Sequence, residues 1–336
     1  MPIGGKKKKV VTFFFDRAFT DRSMPNASQW LEERATRGFM RASYTIAVCV
    51  LTACAPAATT TADTGFLDVG GSKIFYEVAG RGPDMVFLHD GHMHSESWEA
   101  QWKFFSRDHR VIRYDRRGYG RSTPATASYS NVDDLRALVA HLGVTNLVLI
   151  GCSAGARLAI DFTLEHPALV QRLVLVGAVV SGLPFSEHFD RRVRDGFQPL
   201  RERGDVGAAI TNWMNDPWLI APTNHLARER FREIMTANPQ NMTRTGRYSH
   251  PASRPAIGRL GEIRVPALMV VGESDVPDVH AHSGALQAGI PNSRRIVVRG
   301  AGHFVHLELP DEFNRIVASF MAASEKPGKR GRPGTE

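Results

Sequence analysis

Cysteine is scarce in this chain. Cys49, Cys54 and Cys152 are the only three in 336 residues, two near the N-terminus and one beside Ser153, so no disulfide framework holds the fold. No internal repeat is present, which excludes a stacked-repeat architecture. Acidic residues are short of basic ones by eight, yet that surplus is not spread over the body. Residues 1–53 carry nine Lys and Arg against four acids, and residues 325–336 carry four against two. The body is therefore close to neutral, whereas a nucleic-acid surface needs its cations gathered on one folded face. The apolar stretch Tyr44–Ala53, about ten residues, falls well short of the roughly 20 that cross a bilayer. What remains is 43% hydrophobic and 23% charged, the balance of a globular protein with a full core.

Residues 1–39 show Lys6 to Lys9, scattered aromatics and no sustained period, and no fold is assigned to them. Residues 40–54 are different. A short basic start at Met40-Arg41 leads into the apolar stretch and then into Leu51-Thr52-Ala53-Cys54. Basic start, apolar middle and small residues at a cut form a secretory signal. The ending resembles the lipobox of bacterial lipoproteins. That resemblance implies cleavage before Cys54, lipidation of Cys54, and a membrane-anchored protein of the bacterial cell envelope. Met40 is then the expected start and residues 1–39 lie upstream of it; an uncleaved anchor and a chance apolar stretch are the alternatives. Residues 55–65 read as a flexible tether. The tail, residues 324–336, is rich in Pro, Gly and cations and reads as disordered. Its Lys329-Arg330-Gly331-Arg332-Pro333 resembles the core of a minor-groove AT-hook, but a solvated charge run is the plainer account, and no nucleic-acid partner is expected.

From residue 66 onward, short apolar runs alternate with helical patterns. Phe66–Val69 and Ile74–Val78 flank Gly70-Gly71, a hairpin signal. Met85–Leu88, Arg110–Tyr114, Leu147–Ile150, Leu173–Val176, Val265–Val271 and Arg295–Val298 read as strands. Trp98–Phe105, Asn131–Leu142, Ala156–Leu164, His280–Ala288 and Asp311–Ala323 read as helices between them. Such alternation predicts a mostly parallel sheet of eight strands with helices on both faces. Residues 183–262 break the rhythm with helical patterns alone (His188–Phe197, Val206–Trp213, Leu226–Thr236). They are expected to form a helical cap on a core of residues 66–182 and 263–323.

The chemistry centres on Gly151-Cys152-Ser153-Ala154-Gly155, a Gly-x-Ser-x-Gly pattern between a strand and a helix. Such a turn exposes the serine oxygen above the sheet and leaves no room for side chains two residues to either side. The helix N-terminus then directs free N–H groups at the reacting centre. A nucleophilic serine needs a base, the base an orienting acid, and the oxyanion two donors. In this architecture the chain order is Ser, acid, His. Asp275 in Gly272-Glu273-Ser274-Asp275 and His303 in Gly300-Ala301-Gly302-His303 each follow a strand, and so satisfy that order. The backbone N–H groups of Gly91 and Ala154 are the expected oxyanion donors. Asp278 and His306 rival Asp275 and His303, and Asp115 reads as a structural turn acid. Cys152 reads as an inert packing residue. His89, Asp90, His92 and His94 are of metal-ligating types, but four ligands in six residues rarely converge on one ion, and no metal is expected.

These residues resemble those of the α/β-hydrolase superfamily over residues 66–323. Phe87-Leu88-His89-Asp90-Gly91 followed by Trp98 is similar to its oxyanion segment. Tyr114 to Ser122 is similar to its D-x-R-G-x-G-x-S turn. The nearest flavour is the capped, cofactor-free branch that includes 3-oxoadipate enol-lactonases and small-ester hydrolases. The resemblance implies an α/β-hydrolase fold, a Ser153–His303–Asp275 triad, no cofactor, and a small carboxylic ester or lactone as substrate. Asp90 stands where the family usually has glycine. That departure leaves open a non-catalytic binding module on the same fold, just as the triad leaves open a related acyl reaction such as carbon–carbon bond hydrolysis or perhydrolysis. Trp213 and Trp218 read equally as cap packing or as substrate wall.

The anchor reading is checked by fractionating bacterial cells that express the full chain. Cys54→Ser is expected to block maturation and move the protein out of the membrane fraction; unchanged fractionation counts against the anchor.

Overall fold

A computed structural model of the chain describes residues 62–243, 248–252 and 254–323. The expected signal segment with Cys54, the extension before it and the tail after residue 323 lie outside the described residues. Among the described residues, no helix is long and apolar enough to cross a membrane.

Eight strands form one sheet: β1 (Asp63–Val69), β2 (Ser72–Ala79), β3 (Asp84–Leu88), β4 (Arg110–Tyr114), β5 (Leu147–Cys152), β6 (Val170–Val176), β7 (Ala267–Gly272) and β8 (Ser293–Val298). Their order across the sheet is β1-β2-β4-β3-β5-β6-β7-β8. Only β2 runs against the rest, pairing antiparallel with β1 and β4. The hairpin expected at Gly70-Gly71 joins β1 to β2 in register, with Val69 opposite Ser72. β5 and β7 are buried at every residue, as parallel strands covered on both faces must be.

Alternation along each strand divides the core into two layers. Val148, Ile150 and Cys152 of β5 join a cluster with Trp98, Phe105, Phe313 and Phe320. That layer holds the helices α1 (Glu99–Phe105), α8 (Val305–Glu308) and α9 (Pro310–Ala323). Leu147 and Leu149 face the opposite way, against α2 (Asn131–His141), α3 (Ala154–Glu165) and α7 (Pro277–Gly289). Ser130 caps α2, its hydroxyl accepting the Asp133 N–H at 3.2 Å.

The helical cap contains α4 (Glu187–Arg203), α5 (Val206–Met214) and α6 (His225–Ala237). Each starts within a residue or two of its expected place. α4 runs six residues past the expected Phe197 and ends where Gly204 takes a left-handed conformation. Ser186 and Asp205 cap α4 and α5 by accepting the N–H groups of Phe189 and Ala208. The 3-10 turn Ala256–Glu262, assigned to the cap on sequence, differs. Ala256 and Leu260 pack into the α3–α7 layer, and Ser181 Oγ accepts the Ala256 N–H at 2.9 Å. Apolar burial on the core side decides that boundary, and the sequence pattern alone carries no mark of it.

Strand order reverses between β3 and β5. β4 lies on one side of β3 and β5 on the other, so the loops after β3 and β5 splay apart and open a crevice at the carboxyl edge of the sheet. That crevice closes below because α3 sits very near the strand ends. A Cβ on Gly155 would strike the carbonyl oxygen of Leu88, at the end of β3. Gly155→Ala is therefore expected to lower stability by about 1–3 kcal/mol through overpacking, read as a reduced urea midpoint; an unchanged midpoint would show that α3 has slack.

Candidate active site

Ser153 sits between β5 and α3 with φ 53° and ψ −112°, and no other described non-glycine residue has a positive φ. This is a costly backbone conformation for a residue with a Cβ, and it persists only where the surroundings over-determine it. Here they do. The Ser153 N–H donates to the Val176 carbonyl at 2.9 Å, pinning the turn to β6. A Cβ on Gly151 would strike the Gly155 carbonyl, so the flanking glycines let the two arms of the turn close on each other. The collision expected from the sequence spacing is thus a feature of the folded turn.

Asp275 and His303 come together although 28 residues separate them. His303 Nδ1 lies 3.0 and 2.9 Å from the two Asp275 carboxylate oxygens. The carboxylate only accepts, so Nδ1 carries the proton and Nε2 is left as the basic nitrogen. Both side chains are nearly buried. Burial opposes a charged imidazole, but the Asp275 charge and its hydrogen bond outweigh it, and the His303 pKa is raised above its ordinary 6.5. The His303 N–H donates to the carbonyls of Trp218 and Leu219 in the cap. Gly177 leaves the space that the His303 ring occupies; a Cβ there would come within 2.8 Å of ring atoms.

Ser153 and His303 line one cavity of about 180 Å³ at the carboxyl edge of the sheet. No hydrogen bond joins the Ser153 hydroxyl to the His303 ring, and substrate-free sites commonly hold such pairs slack. Gly91 lines the same cavity, and a Cβ built on it would lie 3.8 Å from the Ala154 Cβ. The loop after β3 and the first turn of α3 therefore meet beside Ser153, where the two expected oxyanion donors belong. The remaining wall is mostly apolar and comes largely from α4 and α5, including Phe189, Phe197 and Trp213. Trp213 is thus a wall residue, whereas Trp218 serves through its backbone carbonyl.

The rival residues have other partners. Asp278 accepts the Ser186 hydroxyl at 2.8 Å, along with the Ser186 N–H, and so anchors the start of α4. His306 is fully buried, stacks on Trp98 with ring centroids 3.9 Å apart, and is pushed down to about 3 by burial. Asp115 accepts the N–H groups of Ser95 and Arg121 and is a turn acid, as its place suggested. Burial pushes the Cys152 thiol well above its ordinary value, with the charges of Asp90 and Asp275 adding to the effect, so it stays protonated.

The four metal-type residues of the β3 loop are likewise divided among separate partners. His89 Nε2 accepts the Arg116 N–H at 3.0 Å, and its Nδ1 bonds the Asp90 carbonyl. Asp90 accepts the N–H groups of His92 and Met93, folding the turn that follows Gly91. His94 lies beside Asn241 and Glu96. His92 lines the cavity that holds Ser153 and His303. Burial holds its pKa down at about 4, so it is a neutral ring there.

Sequence reasoning missed two residues that shape this site. Glu308 is a buried carboxylate that accepts the N–H groups of Gly302 and Ala221 at 2.8 Å each and the Asn224 amide at 3.1 Å. It ties the His303 loop to the cap. Arg192 of α4 reaches the cavity and pairs with Asp216 at 2.5 Å. Neither lies in a motif, and only the fold brings them in.

Residues 83–310 match the family model described as the alpha/beta hydrolase fold. A Bacillus subtilis (strain 168) protein, provisionally named a 2-succinyl-6-hydroxy-2,4-cyclohexadiene-1-carboxylate synthase, is 30% identical over 268 residues, covering 74% of this chain and 95% of its own. The 2-hydroxy-6-oxo-6-phenylhexa-2,4-dienoate hydrolase of Comamonas testosteroni is 26% identical over 269 residues, covering 76% and 93%. Among solved structures, Est816, described as an N-acyl homoserine lactone degrading enzyme, superposes with a TM-score of 0.62 at 25% identity, covering 76% of this chain and all of its own.

The His303–Asp275 pair makes a pH prediction. A base must be neutral to act, so with His303 as the base turnover is expected to rise with pH through a midpoint above 6.5. Asp275→Asn removes the charge that raises this pKa and leaves burial to lower it. The midpoint should move below 6.5 while kcat falls roughly 10³–10⁴-fold. A pH–rate profile that keeps its midpoint in the variant would exclude the pair as base and orienter.

Proposed function

The chain belongs to the alpha/beta hydrolase fold family, and from that premise we propose that it is a serine hydrolase of a small carboxylic ester or lactone. The observation that carries this reading is one cavity lined by both Ser153 and His303, with Asp275 held 2.9 Å from His303 Nδ1. Ser153 attacks the substrate carbonyl while His303 Nε2 takes its proton. Asp275 holds the imidazole in the right tautomer and stabilises the imidazolium that forms. The carbonyl oxygen becomes an oxyanion held by the Gly91 and Ala154 N–H groups, each worth about 3 kcal/mol of barrier. His303 returns the proton to the leaving group, and water, activated by the same imidazole, releases the acyl group. The mechanism calls for no cofactor. A cavity of about 180 Å³ suits a short acyl chain or a small ring.

Asp90 does not oppose this reading. Its Oδ1 is bonded to the backbone of His92 and Met93, so the carboxylate builds the turn that presents Gly91. The relative named for a 2-hydroxy-6-oxo-dienoate favours a second reading, carbon–carbon bond hydrolysis on the same three residues.

A fluorophosphonate probe applied to the full chain tests the nucleophile. Wild type is expected to label and to hydrolyse short 4-nitrophenyl esters. Ser153→Ala should lose both while keeping its fold by circular dichroism. Labelling that survives in the variant would overturn the assignment.

A further inference from the structure

Five side chains with polar atoms line the cavity that holds Ser153 and His303. Ser153 and His303 carry the proposed chemistry, and Arg192 is paired with Asp216, 2.5 Å away. His92 and Trp213 are left. His92 Nε2 and Trp213 Nε1 are both buried, and neither meets a hydrogen-bond partner among the described residues. The two rings face each other with centroids 4.5 Å apart. An unpaired polar atom in a buried wall is costly, and native folds rarely leave one without a use. His306 also has bare ring nitrogens, but it does not line the cavity and stacks on Trp98 instead.

Both rings are held in place. Asp90 Oδ1 accepts the His92 N–H at 2.7 Å and lies 3.9 Å from the ring Nδ1. The carboxylate favours a proton on Nδ1, so the neutral ring keeps its lone pair on Nε2. That nitrogen is therefore an acceptor. The Trp213 indole lies against Gly196 of α4, where a Cβ would come within 2.6 Å of it. Its Nε1–H can only donate. The cavity thus sets one acceptor and one donor close together in a mostly apolar wall. Binding pockets use such sparse polar groups to fix a ligand's orientation.

We propose that His92 Nε2 and Trp213 Nε1 form a hydroxyl subsite, which holds an alcohol group on the acyl chain of the substrate. This deepens, and rests on, the hydrolase reading above. A hydroxyl donates to His92 and accepts from Trp213. A carboxylate cannot donate. An ammonium cannot accept, and it would meet the Arg192 charge in the same wall. His92 directly follows Gly91, so the hydroxyl sits near the reacting carbonyl. A methyl in its place would leave both ring atoms unpaired, and that loss is what rejects an unhydroxylated chain.

Two esters that exchange a hydroxyl for a methyl test it, 4-nitrophenyl 3-hydroxybutanoate and 4-nitrophenyl 3-methylbutanoate. For the full wild-type chain, kcat/KM is expected to favour the hydroxylated ester by roughly tenfold or more. His92→Phe keeps an aromatic ring among its neighbours and should remove that preference. Trp213→Phe should weaken it, and His92→Gln, which restores an acceptor, should recover part of it. The ratio of two esters on one variant cancels any general loss of activity, so a purely structural role for either ring would leave it unchanged. Equal hydrolysis of both esters by wild type, or a preference that survives His92→Phe, would overturn the subsite and leave the hydrolase standing.

The second measurement needs no turnover. The full Ser153→Ala chain is titrated calorimetrically with the methyl esters of the same two acids. It is expected to bind the hydroxylated ester roughly tenfold more tightly, and adding His92→Phe should erase the difference. Equal binding would overturn the subsite. Tighter binding through His92, with neither 4-nitrophenyl ester hydrolysed by wild type, would overturn the hydrolase reading and leave the subsite standing.

Discussion

The packing of α3 against the ends of β3 and β5 is the contact on which the site rests. It is possible only because Gly151 and Gly155 present bare backbone to each other and to Leu88. That approach holds Ser153 at φ 53°, against the ordinary preference of a residue with a Cβ. The turn is held there by the fully buried β5 that leads into it and by the Ser153 N–H bond to Val176. It also sets where the first N–H of α3 points. The position of Ser153 and that of the helix N-terminus are thus a single constraint, and a helix displaced by the width of one methyl would lose both.

Around that turn, buried carboxylates do most of the fastening. Asp275 holds the His303 ring, Glu308 joins the His303 loop to the cap, Asp90 folds the loop that carries Gly91, and Asp115 holds the turn behind it. Each accepts hydrogen bonds from defined donors, which is what makes a buried carboxylate tolerable. The neighbouring histidines show the opposite logic. His89, His92 and His306 are neutral because burial outweighs any gain from nearby acids. Only His303 has a carboxylate close enough to reverse that sign. His303 is thereby distinguished from these three by a single contact, in a low-dielectric pocket where that contact counts for most.

The cap does more than cover the site. Trp218 and Leu219 accept the His303 N–H through their carbonyls, and Asp278 of α7 in turn accepts the hydroxyl of Ser186, the residue that caps α4. Cap and core therefore position each other. Variation in the residues that α4 and α5 turn toward the cavity can reshape it without disturbing the contact between Asp275 and His303.

How much of this was legible beforehand follows from the range of each interaction. Period-two and period-3.6 patterns placed the strands and helices, and Arg110–Tyr114 coincides with β4 residue for residue, because those patterns report which face of a local segment is buried. The elbow, and the rule that an acid and a histidine follow later strands, located Ser153, Asp275 and His303. Those positions are set by backbone topology, which local sequence encodes. The choice of Asp275 over Asp278, and of His303 over His306, was a matter of distance from the strand end. The fold gives Asp278 to Ser186 and His306 to Trp98, partners 92 and about 200 residues away along the chain. Glu308 and Arg192 had no sequence signature at all, because their meaning lies in what they meet across a tertiary contact. The sequence by itself determined the architecture, the strained turn and the candidate residues Ser153, Asp275 and His303, since all three depend on local backbone geometry. Which side chains share a cavity, which charges are paired and which are left bare was decided only when distant segments packed together.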